Sequence, residues 1–188
     1  MHVRVREARP GDLEQLRDLQ QQAQSVDGCL FSQAAWEDWL TRSDLGEPAP
    51  PLFVLLDDDD ELNTWGQGGT LEGLEGELIG YTLLHLICDE EGYHLRCEGT
   101  VHPAHRRRGG GRALLICALN RARLWGTELE DEGQQQGLPL WFEVLLPRRD
   151  PASERLAARW ELEAVADVTC AGQRAADDGF RLYRRPLL

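Results

Sequence analysis

Residues 100–115 form the segment that most restricts how this chain can fold, and they read TVHPAHRRRGGGRALL. A strand is predicted to end at Val101, because Pro103 lacks an N–H group and stops the pairing of a sheet. Three glycines then open a helix that we expect to begin at Gly109. The first turn of a helix carries unpaired N–H groups at its positive end, and glycines let an anion approach them closely. With the flanking arginines as charge-assisted donors, the segment predicts a pyrophosphate site within an α/β fold.

The pattern of apolar residues predicts one α/β domain over residues 1–188, with about seven strands and four helices. Strands are predicted at Val3–Ala8, Leu52–Leu56, Glu77–Cys88, Tyr93–Val101, Pro139–Leu146, Ala164–Thr169 and Phe180–Arg184. Helices are predicted from Leu13, with Asp12 as its N-cap, from Ser32, with Trp36, Trp39 and Leu40 on one face, and over Gly109–Trp125 and Pro151–Glu161. Two polar stretches are predicted to be loops, a long mobile hairpin loop at Asp57–Gly76 and a shorter loop at Thr127–Gly137.

The chain is strongly acidic, with a net charge of −13, and all 20 of its basic residues are arginines. Non-specific binding to DNA or RNA needs a basic surface, so we expect no nucleic-acid partner. The longest apolar runs, such as Leu83–Cys88 and Ala113–Leu119, are too short to span a bilayer. The N-terminus also lacks the apolar core of a signal peptide. We therefore expect a cytoplasmic protein with no membrane partner.

The cysteines and histidines do not form a pattern typical of a metal site. None of the cysteines belongs to a CxxC pair, and three lie inside apolar segments, which favours free buried thiols. His102 and His105 have no third ligand at a suitable spacing, which favours anion contacts or solvated loop positions. We therefore expect no metal. The five cysteines are Cys29, Cys88, Cys97, Cys117 and Cys170.

Three other nucleotide-binding interpretations of the glycine segment fail. A P-loop needs GxxxxGK[ST], and the chain contains no lysine. The dinucleotide fingerprint GxGxxG fails because Leu114 occupies the position of its third glycine. An RNA-binding RGG segment is disfavoured because the motif occurs once and leads directly into an amphipathic helix.

The same segment resembles motif A of the GCN5-related N-acetyltransferases, the GNAT family. That motif reads (Arg/Gln)-x-x-Gly-x-(Gly/Ala), and Arg106, Gly109 and Gly111 fill its fixed positions. The preceding Val-x-Pro and the following leucine-rich helix extend the match to about sixteen residues. The order of predicted elements along nearly the whole chain is also similar to that of the family.

The resemblance implies a GNAT-like fold, a mixed sheet that is splayed open between its fourth and fifth strands, with acetyl-CoA as co-substrate in the gap. The strand around Phe142–Leu145 would form the other wall. The implied activity is acetyl transfer to a primary amine of a small molecule or protein, by direct attack in a ternary complex. The alternatives are a catalytically silent CoA-binding or regulatory module, or an anion-binding protein without CoA specificity. Dimers are common in the family, so a homodimer is an expectation. The residues implied to contact acetyl-CoA are Gly99, Thr100 and Val101 for the acyl and pantetheine part, and Arg106, Arg107, Arg108, Gly109, Gly110, Gly111 and Arg112 for the pyrophosphate.

An amine attacks only when it is neutral, so the reaction needs a base, an oxyanion donor and an acid for the departing thiolate. Family members often use a Glu on the fourth strand or a water relay as base, and Glu98 lies three residues before Val101. Strand alternation would place Glu98 on the same face as Arg96 and Thr100, so the competing structural interpretation is an ion pair on a solvated face, either with Arg96 or with a residue of a neighbouring strand. Glu143, in a very apolar strand, is the second candidate for the base.

The acid is where the sequence departs from the family. Many members have a tyrosine in the fourth helix, and Trp160 stands there instead, although an indole N–H cannot deliver a proton. The remaining sources are water or one of Tyr81, Tyr93 and Tyr183. The acidic composition favours a cationic acceptor. An acyl-cysteine intermediate is disfavoured because Cys97 and Cys117 lie in regular elements without a recognisable nucleophile motif.

Overall fold

A computed structural model describes residues 3–27, 38–42, 49–57, 76–168 and 179–187, and for 130–136 it describes the backbone alone. The seven strands are β1 (Val3–Glu7), β2 (Leu52–Asp57), β3 (Glu77–Asp89), β4 (Gly92–Val101), β5 (Leu140–Pro147), β6 (Glu163–Val168) and β7 (Phe180–Pro186). The helices are α1 (Leu13–Asp27), α2 (residues 38–42), α3 (Gly110–Gln136) and α4 (Pro151–Arg159), with short 3₁₀ turns at Pro10–Asp12 and Pro103–His105. No helix within these ranges is both long enough and apolar enough to cross a lipid bilayer.

The strands form one sheet in the order β1-β2-β3-β4-β5-β7-β6. All neighbouring strands run antiparallel except β4 and β5, which run parallel because α3 connects them. Pairing between β4 and β5 extends from Tyr93 opposite Leu140 to Cys97 opposite Val144. Both strands continue beyond that point without pairing to each other, so the sheet opens between them, as predicted.

Helices cover both faces of the sheet. One face is packed under α3, whose Leu115, Ala118 and Leu119 join the apolar side chains of the central strands. On the other face, Leu16 and Leu19 of α1 and Trp39 of α2 cover β2 and β3. The two buried layers fix the sheet, and the gap between β4 and β5 lies between them. The strand residues packed in the α3 layer include Leu84, Leu95, Cys97, Phe142, Val144 and Tyr183.

The predicted elements are confirmed in type and order, with boundaries shifted by one or two residues, except for the loop at Thr127–Gly137. That prediction is wrong, because α3 continues through Gln136. The stretch is rich in Glu and Gln, which favour helix, and Gly137 with a φ of 67° ends it. The predicted second helix is described over residues 38–42 alone, and most of the predicted loop at Asp57–Gly76, residues 58–75, lies outside the described residues.

Two smaller expectations were also wrong. Asp12 does not cap α1 with its side chain, because its carboxylate accepts hydrogen bonds from the Arg9 amide at 2.7 Å and from the Arg6 guanidinium. Cys88 is exposed, because β3 extends past the helical layer towards the turn at Asp89. Cys97 is buried and Cys117 is partly buried, and both are free thiols, whereas Cys29 and Cys170 lie outside the described residues.

Candidate functional site

A cavity of about 840 Å³ opens where β4 and β5 separate. Its apolar body is formed by side chains of α3 and β5, including Leu114, Leu115 and Val144. Its rim is formed by the loop that follows β4 and by the first turn of α4. The cavity therefore has largely apolar walls together with polar and cationic lining residues, which suits a ligand that is apolar at one end and anionic at the other.

The loop at the mouth presents backbone N–H groups. The first hydrogen bond of α3 runs from the Ala113 amide to the Gly109 carbonyl at 3.1 Å, so the amides of residues 109–112 have no partner within the helix. Within the described ranges, no backbone acceptor outside the helix takes them either. Arg107, at φ 67°, and Gly109, at φ 92°, adopt left-handed conformations. Such backbone turns form concave anion-binding nests, and a non-glycine residue held in one is typical of a functional loop.

Five arginines are among the residues that line the cavity, namely Arg106, Arg107, Arg112, Arg155 and Arg159. Arg107 reaches across it to Asp150, with Nη2 and Oδ1 separated by 2.5 Å. Asp150 in turn accepts the Ala152 amide at 2.8 Å as the N-cap of α4. The mouth is therefore cationic on both the α3 and the α4 sides.

Arg106, the first fixed residue of the motif, holds the loop against α1. Its two terminal nitrogens donate to the Asp27 carboxylate at 2.8 and 2.6 Å, and Nε donates to the Val101 carbonyl at 2.9 Å. Its amide faces the Pro103 carbonyl at 3.5 Å. The open amides therefore begin after Arg106. Arg107, Gly109, Gly111 and Arg112 line the cavity, whereas Arg108 and Gly110 are not among its lining residues.

The end of β4 forms the wall facing β5, with Gly99, Thr100 and Val101 all lining the cavity. A Cβ atom on Gly99 would lie 2.3 Å from the Tyr81 carbonyl oxygen, so only glycine allows β3 and β4 to approach this closely. The same three residues were predicted to contribute backbone groups, and the structure places them at the point where the strands part.

Glu98 is buried next to this wall, with 7% of its surface exposed. Its Oε1 lies 3.5 Å from His85 Nε2 on β3. Burial raises the pKa of Glu98 to about 7, and the Arg96 guanidinium opposes that rise. Arg96 does not form the ion pair with Glu98 that the sequence allowed as the competing interpretation.

Arg96 pairs instead with Glu143, the second candidate for the base. Nε and Nη2 of Arg96 donate to Glu143 Oε2 at 2.9 and 2.8 Å, and His94 Nδ1 lies 2.8 Å from Oε1. Glu143 is only 2% exposed. Both of its carboxylate oxygens are therefore occupied by protein partners, which indicates a structural role in joining β4 to β5.

Replacing Glu143 by Gln is expected to lower the free energy of unfolding by about 3 kcal/mol, because it leaves the partly buried Arg96 guanidinium without its counter-charge. Urea denaturation measures the effect. Asp38→Asn is the matched control, since it breaks the exposed Asp38–Arg42 pair and should cost less than about 0.5 kcal/mol. Equal effects of the two substitutions would contradict the structural role of Glu143.

The sequence model of the acetyltransferase (GNAT) family matches residues 13–137, which include β4 with Glu98 and the loop that follows it. The chain belongs to the acetyltransferase (GNAT) family.

Solved GNAT structures share the fold over nearly the whole chain. A GNAT-family acetyltransferase from Streptococcus pneumoniae superposes with a TM-score of 0.63 at 13% identity, covering 98% of this chain and 99% of that one. NAA60 of Arabidopsis thaliana, solved in complex with acetyl-CoA, gives a TM-score of 0.58 at 15% identity and covers 97% and 96%. At sequence identities this low, the similarity to these structures establishes the fold alone.

A curated relative, the mycothiol acetyltransferase of Saccharopolyspora erythraea, is 34% identical over 98 residues. The match covers 52% of this chain and 31% of the relative. The chain thus spans about a third of the length of the curated relatives it matches.

Among the residues that the structure describes, Tyr81 is the tyrosine that lines the cavity. Burial raises the pKa of Tyr81 well above its usual value, Glu98 adds to the rise, and a hydrogen bond with Gln20 of α1 opposes it. Trp160 packs against the core under α3, and its Nε1 has no hydrogen-bond partner in the described structure. Trp160 is not among the residues that line the cavity.

His102 and His105 are used inside the loop that follows β4. Their rings meet edge to face at 5.3 Å, His102 Nε2 contacts Gln22, and His105 Nδ1 lies 3.4 Å from Asp57 Oδ2. These contacts tie the loop to α1 and to β2. In the described residues, no group of three or more His, Cys, Asp or Glu side chains is placed to hold a metal ion.

Proposed function

We propose that this protein transfers an acetyl group from acetyl-CoA to a primary amine. The observation that carries the proposal is the row of amides at residues 109–112, which have no backbone partner in the described part of the chain and lie beside the arginine-lined cavity between β4 and β5. A pyrophosphate consists of two phosphates joined by one bridging oxygen, and such a helix start can bind its negative charge. Membership of the GNAT family supports the same reaction.

The residues of the cavity fit the chemistry of acetyl-CoA. The amides of residues 107–112 and the side chain of Arg112 would hold the pyrophosphate, while the Arg107 side chain is engaged by Asp150. The apolar body of the cavity would hold the pantetheine arm, with Gly99, Thr100 and Val101 offering backbone groups to the acyl end. Arg106 would act through the shape of the loop, because its side chain is engaged by Asp27.

Glu98 is proposed as the base that takes a proton from the acceptor amine. A general base works best when its pKa is close to the working pH, and burial brings the pKa of Glu98 to about 7. The neutral amine nitrogen then forms a bond to the acetyl carbonyl carbon, the carbon–sulfur bond breaks to release the CoA thiolate, and the excess proton on the new amide nitrogen passes to water.

Direct attack is favoured over an acyl-cysteine intermediate by the state of Cys97, which lines the cavity. Burial raises the pKa of the Cys97 thiol to about 12. The thiol lies 3.1 Å from Thr82 Oγ1. Because the thiolate is the nucleophile, a thiol held in its protonated form is a poor one.

Tyr81 is proposed as the acid that protonates the departing thiolate, in place of the tyrosine that Trp160 replaces. Its raised pKa keeps the phenol protonated at neutral pH but makes it a weak acid, so we expect a contribution below that of a well-matched acid. Tyr81→Phe is expected to reduce kcat about 10-fold to 100-fold and to leave acetyl-CoA affinity unchanged, measured by steady-state kinetics and calorimetry. Trp160→Phe is the control and should leave kcat near the wild-type value; the reverse pattern would contradict the assignment.

The acidic composition favours a cationic acceptor, and the similar proteins suggest two kinds of acceptor amine, one on a small molecule and one on a peptide. The curated relatives are named mycothiol acetyltransferases, and one solved neighbour, the NatC complex, is bound to Gag peptide and CoA. A useful panel therefore contains mycothiol lacking its acetyl group, a polyamine, an aminoglycoside, an amino-acid amide and a peptide with a free N-terminus.

Two measurements test the proposal. A thermal-shift assay with acetyl-CoA, CoA and ATP should show stabilisation by the first two, following RT ln(1 + [L]/Kd). CoA release across the amine panel should then show turnover with at least one acceptor. Binding without any turnover would favour a catalytically silent CoA-binding module, and a larger shift with ATP than with acetyl-CoA would contradict both.

A further inference from the structure

His85 lies on β3 beside Glu98, on the face of the sheet opposite α3. Leu83 is directly opposite Glu98 in the register of β3 and β4, so His85 is the diagonal neighbour two residues further along. His85 Nε2 and Glu98 Oε1 are 3.5 Å apart, and both side chains are more than four-fifths buried. The pair is therefore close, largely removed from water and attached to two adjacent strands of the same sheet.

The two ring nitrogens of His85 have different surroundings. Nε2 faces Glu98, whereas Nδ1 is buried and has no hydrogen-bond partner in the part of the chain that the structure describes. A ring with its proton on Nε2 would donate towards the carboxylate and leave only a lone pair unpaired. A ring with its proton on Nδ1 would leave a buried donor unpaired and would point a second lone pair at the carboxylate, which is unfavourable on both counts.

The groups that face Glu98 come from three strands and one helix. Tyr81 and His85 lie on β3, and Arg96 lies on β4 itself. Glu143 on β5 acts through Arg96, which it engages with a bidentate contact, and α1 contributes Gln20 through its hydrogen bond with Tyr81. Of these side chains, His85 lies within contact distance of the Glu98 carboxylate. Its ring has no other hydrogen-bond partner among the described residues.

We propose that His85 is a positioning residue for Glu98, a neutral imidazole that donates its Nε2 proton to Oε1 and holds the carboxylate in one orientation. The inference rests on the proposed function in so far as Glu98 is the base. Hydrogen bonds of catalytic pairs are often long before the substrate complex forms, and a separation of 3.5 Å needs only a small side-chain movement to become a good one.

The neutrality of the ring supports this role. Burial, with the nearby Arg96 guanidinium, lowers the pKa of His85 to about 4, and Glu143 opposes that change. The ring therefore does not compete with Glu98 for a proton at neutral pH. A donor that does not titrate favours the carboxylate form of Glu98 and restrains the rise of its pKa that burial causes.

The test is a titration of the Glu98 carboxyl by carbon-13 NMR in the wild type, His85→Leu and His85→Gln, with Glu98→Gln used to assign the signal. The amide nitrogen of Gln can replace Nε2 as a donor, so His85→Gln should keep the wild-type midpoint. His85→Leu removes the donor and should raise the midpoint by about one pH unit. If His85→Leu does not fold, His85→Asn, whose amide is too short to reach, takes its place.

The pH dependence of kcat/KM for an accepted amine should follow the same pattern, with its acid limb moved upward in His85→Leu and unmoved in His85→Gln. An unchanged Glu98 midpoint in His85→Leu, or equal shifts in both variants, would overturn the proposal even if the enzyme is active. A wild type that acetylates no amine while the NMR shifts occur would overturn the proposed function and leave the His85–Glu98 contact established. Stabilisation of each variant by acetyl-CoA, compared with wild type, reports whether the cavity is intact.

Discussion

Replacing Gly111 by Asp is expected to weaken acetyl-CoA binding by about 100-fold or more, which corresponds to about 2.7 kcal/mol. Gly111 lines the cavity in the first turn of α3, and a Cβ atom there would meet no heavy atom within 4 Å. The new side chain therefore enters the space that we assign to the pyrophosphate, and its negative charge repels that anion.

The fold should tolerate this change. Gly111 has no positive φ, and an acidic residue in the first turn of a helix is favourable. Calorimetry with acetyl-CoA and a thermal melt without ligand measure the two effects. Gly11→Asp is the matched control, because it adds the same charge at an exposed glycine with nothing within 4 Å and lies outside the cavity lining. If both variants bind acetyl-CoA as the wild type does, the assignment of the loop is wrong.

Replacing Glu98 by Gln is expected to lower kcat by about 100-fold to 1000-fold, the usual contribution of a positioned general base. The affinity for acetyl-CoA should stay unchanged, because Glu98 is not among the residues that line the cavity. In the wild type, kcat/KM should rise with pH to a plateau above a pKa of about 7. Stopped assays across pH 5.5–9 measure both, and wild-type turnover in the variant at every pH would remove Glu98 as the base.

The same substitution should stabilise the protein at alkaline pH. The pKa of Glu98 is about 7 in the folded protein, compared with 4.5 for an unperturbed glutamate, which we take as the value in the unfolded chain. Between these two pH values the folded chain therefore binds more protons than the unfolded chain. Stability is therefore lost as the pH rises through this window, by about 3 kcal/mol when Glu98 is fully ionised. Glu98→Gln should exceed the wild type by roughly that amount at pH 8 and by less than about 1 kcal/mol at pH 5. A difference that does not depend on pH would contradict the buried state of the carboxyl.

The stabilities of the Glu98→Gln and Glu143→Gln variants distinguish the functional role proposed for Glu98 from the structural role of Glu143. Glu143 has protein partners on both oxygens, so its removal should destabilise the fold. Glu98 has one neighbour at 3.5 Å and is mostly desolvated, so its removal should stabilise the fold and impair the reaction. This opposition is typical of a functional group held at a cost to stability.

Local sequence was enough to predict the shape of the loop, because the features that make it a candidate anion site are adjacent in the chain. A strand end, a proline, three glycines and an amphipathic helix each act on their own neighbours. Strand alternation was likewise enough to place Glu98 on the face it shares with Arg96. The contacts that decide roles join distant residues, and neither the Arg106–Asp27 pair nor the Arg107–Asp150 pair is visible in spacing.

One missed residue could have been found. Only four residues separate the predicted strands Glu77–Cys88 and Tyr93–Val101, so a tight hairpin fixes their register, and that register places His85 diagonally across from Glu98. The length of α3 was missed for another reason. The polar stretch at residues 127–136 was interpreted from its lack of apolar periodicity, although its helix-favouring composition decided the outcome.

Amide hydrogen exchange at residues 107–112, followed by NMR with and without saturating acetyl-CoA, tests the central claim most directly. The proposed site predicts that these amides exchange rapidly in the free protein and that acetyl-CoA slows them markedly. Exchange that acetyl-CoA leaves unchanged at all six positions would contradict it.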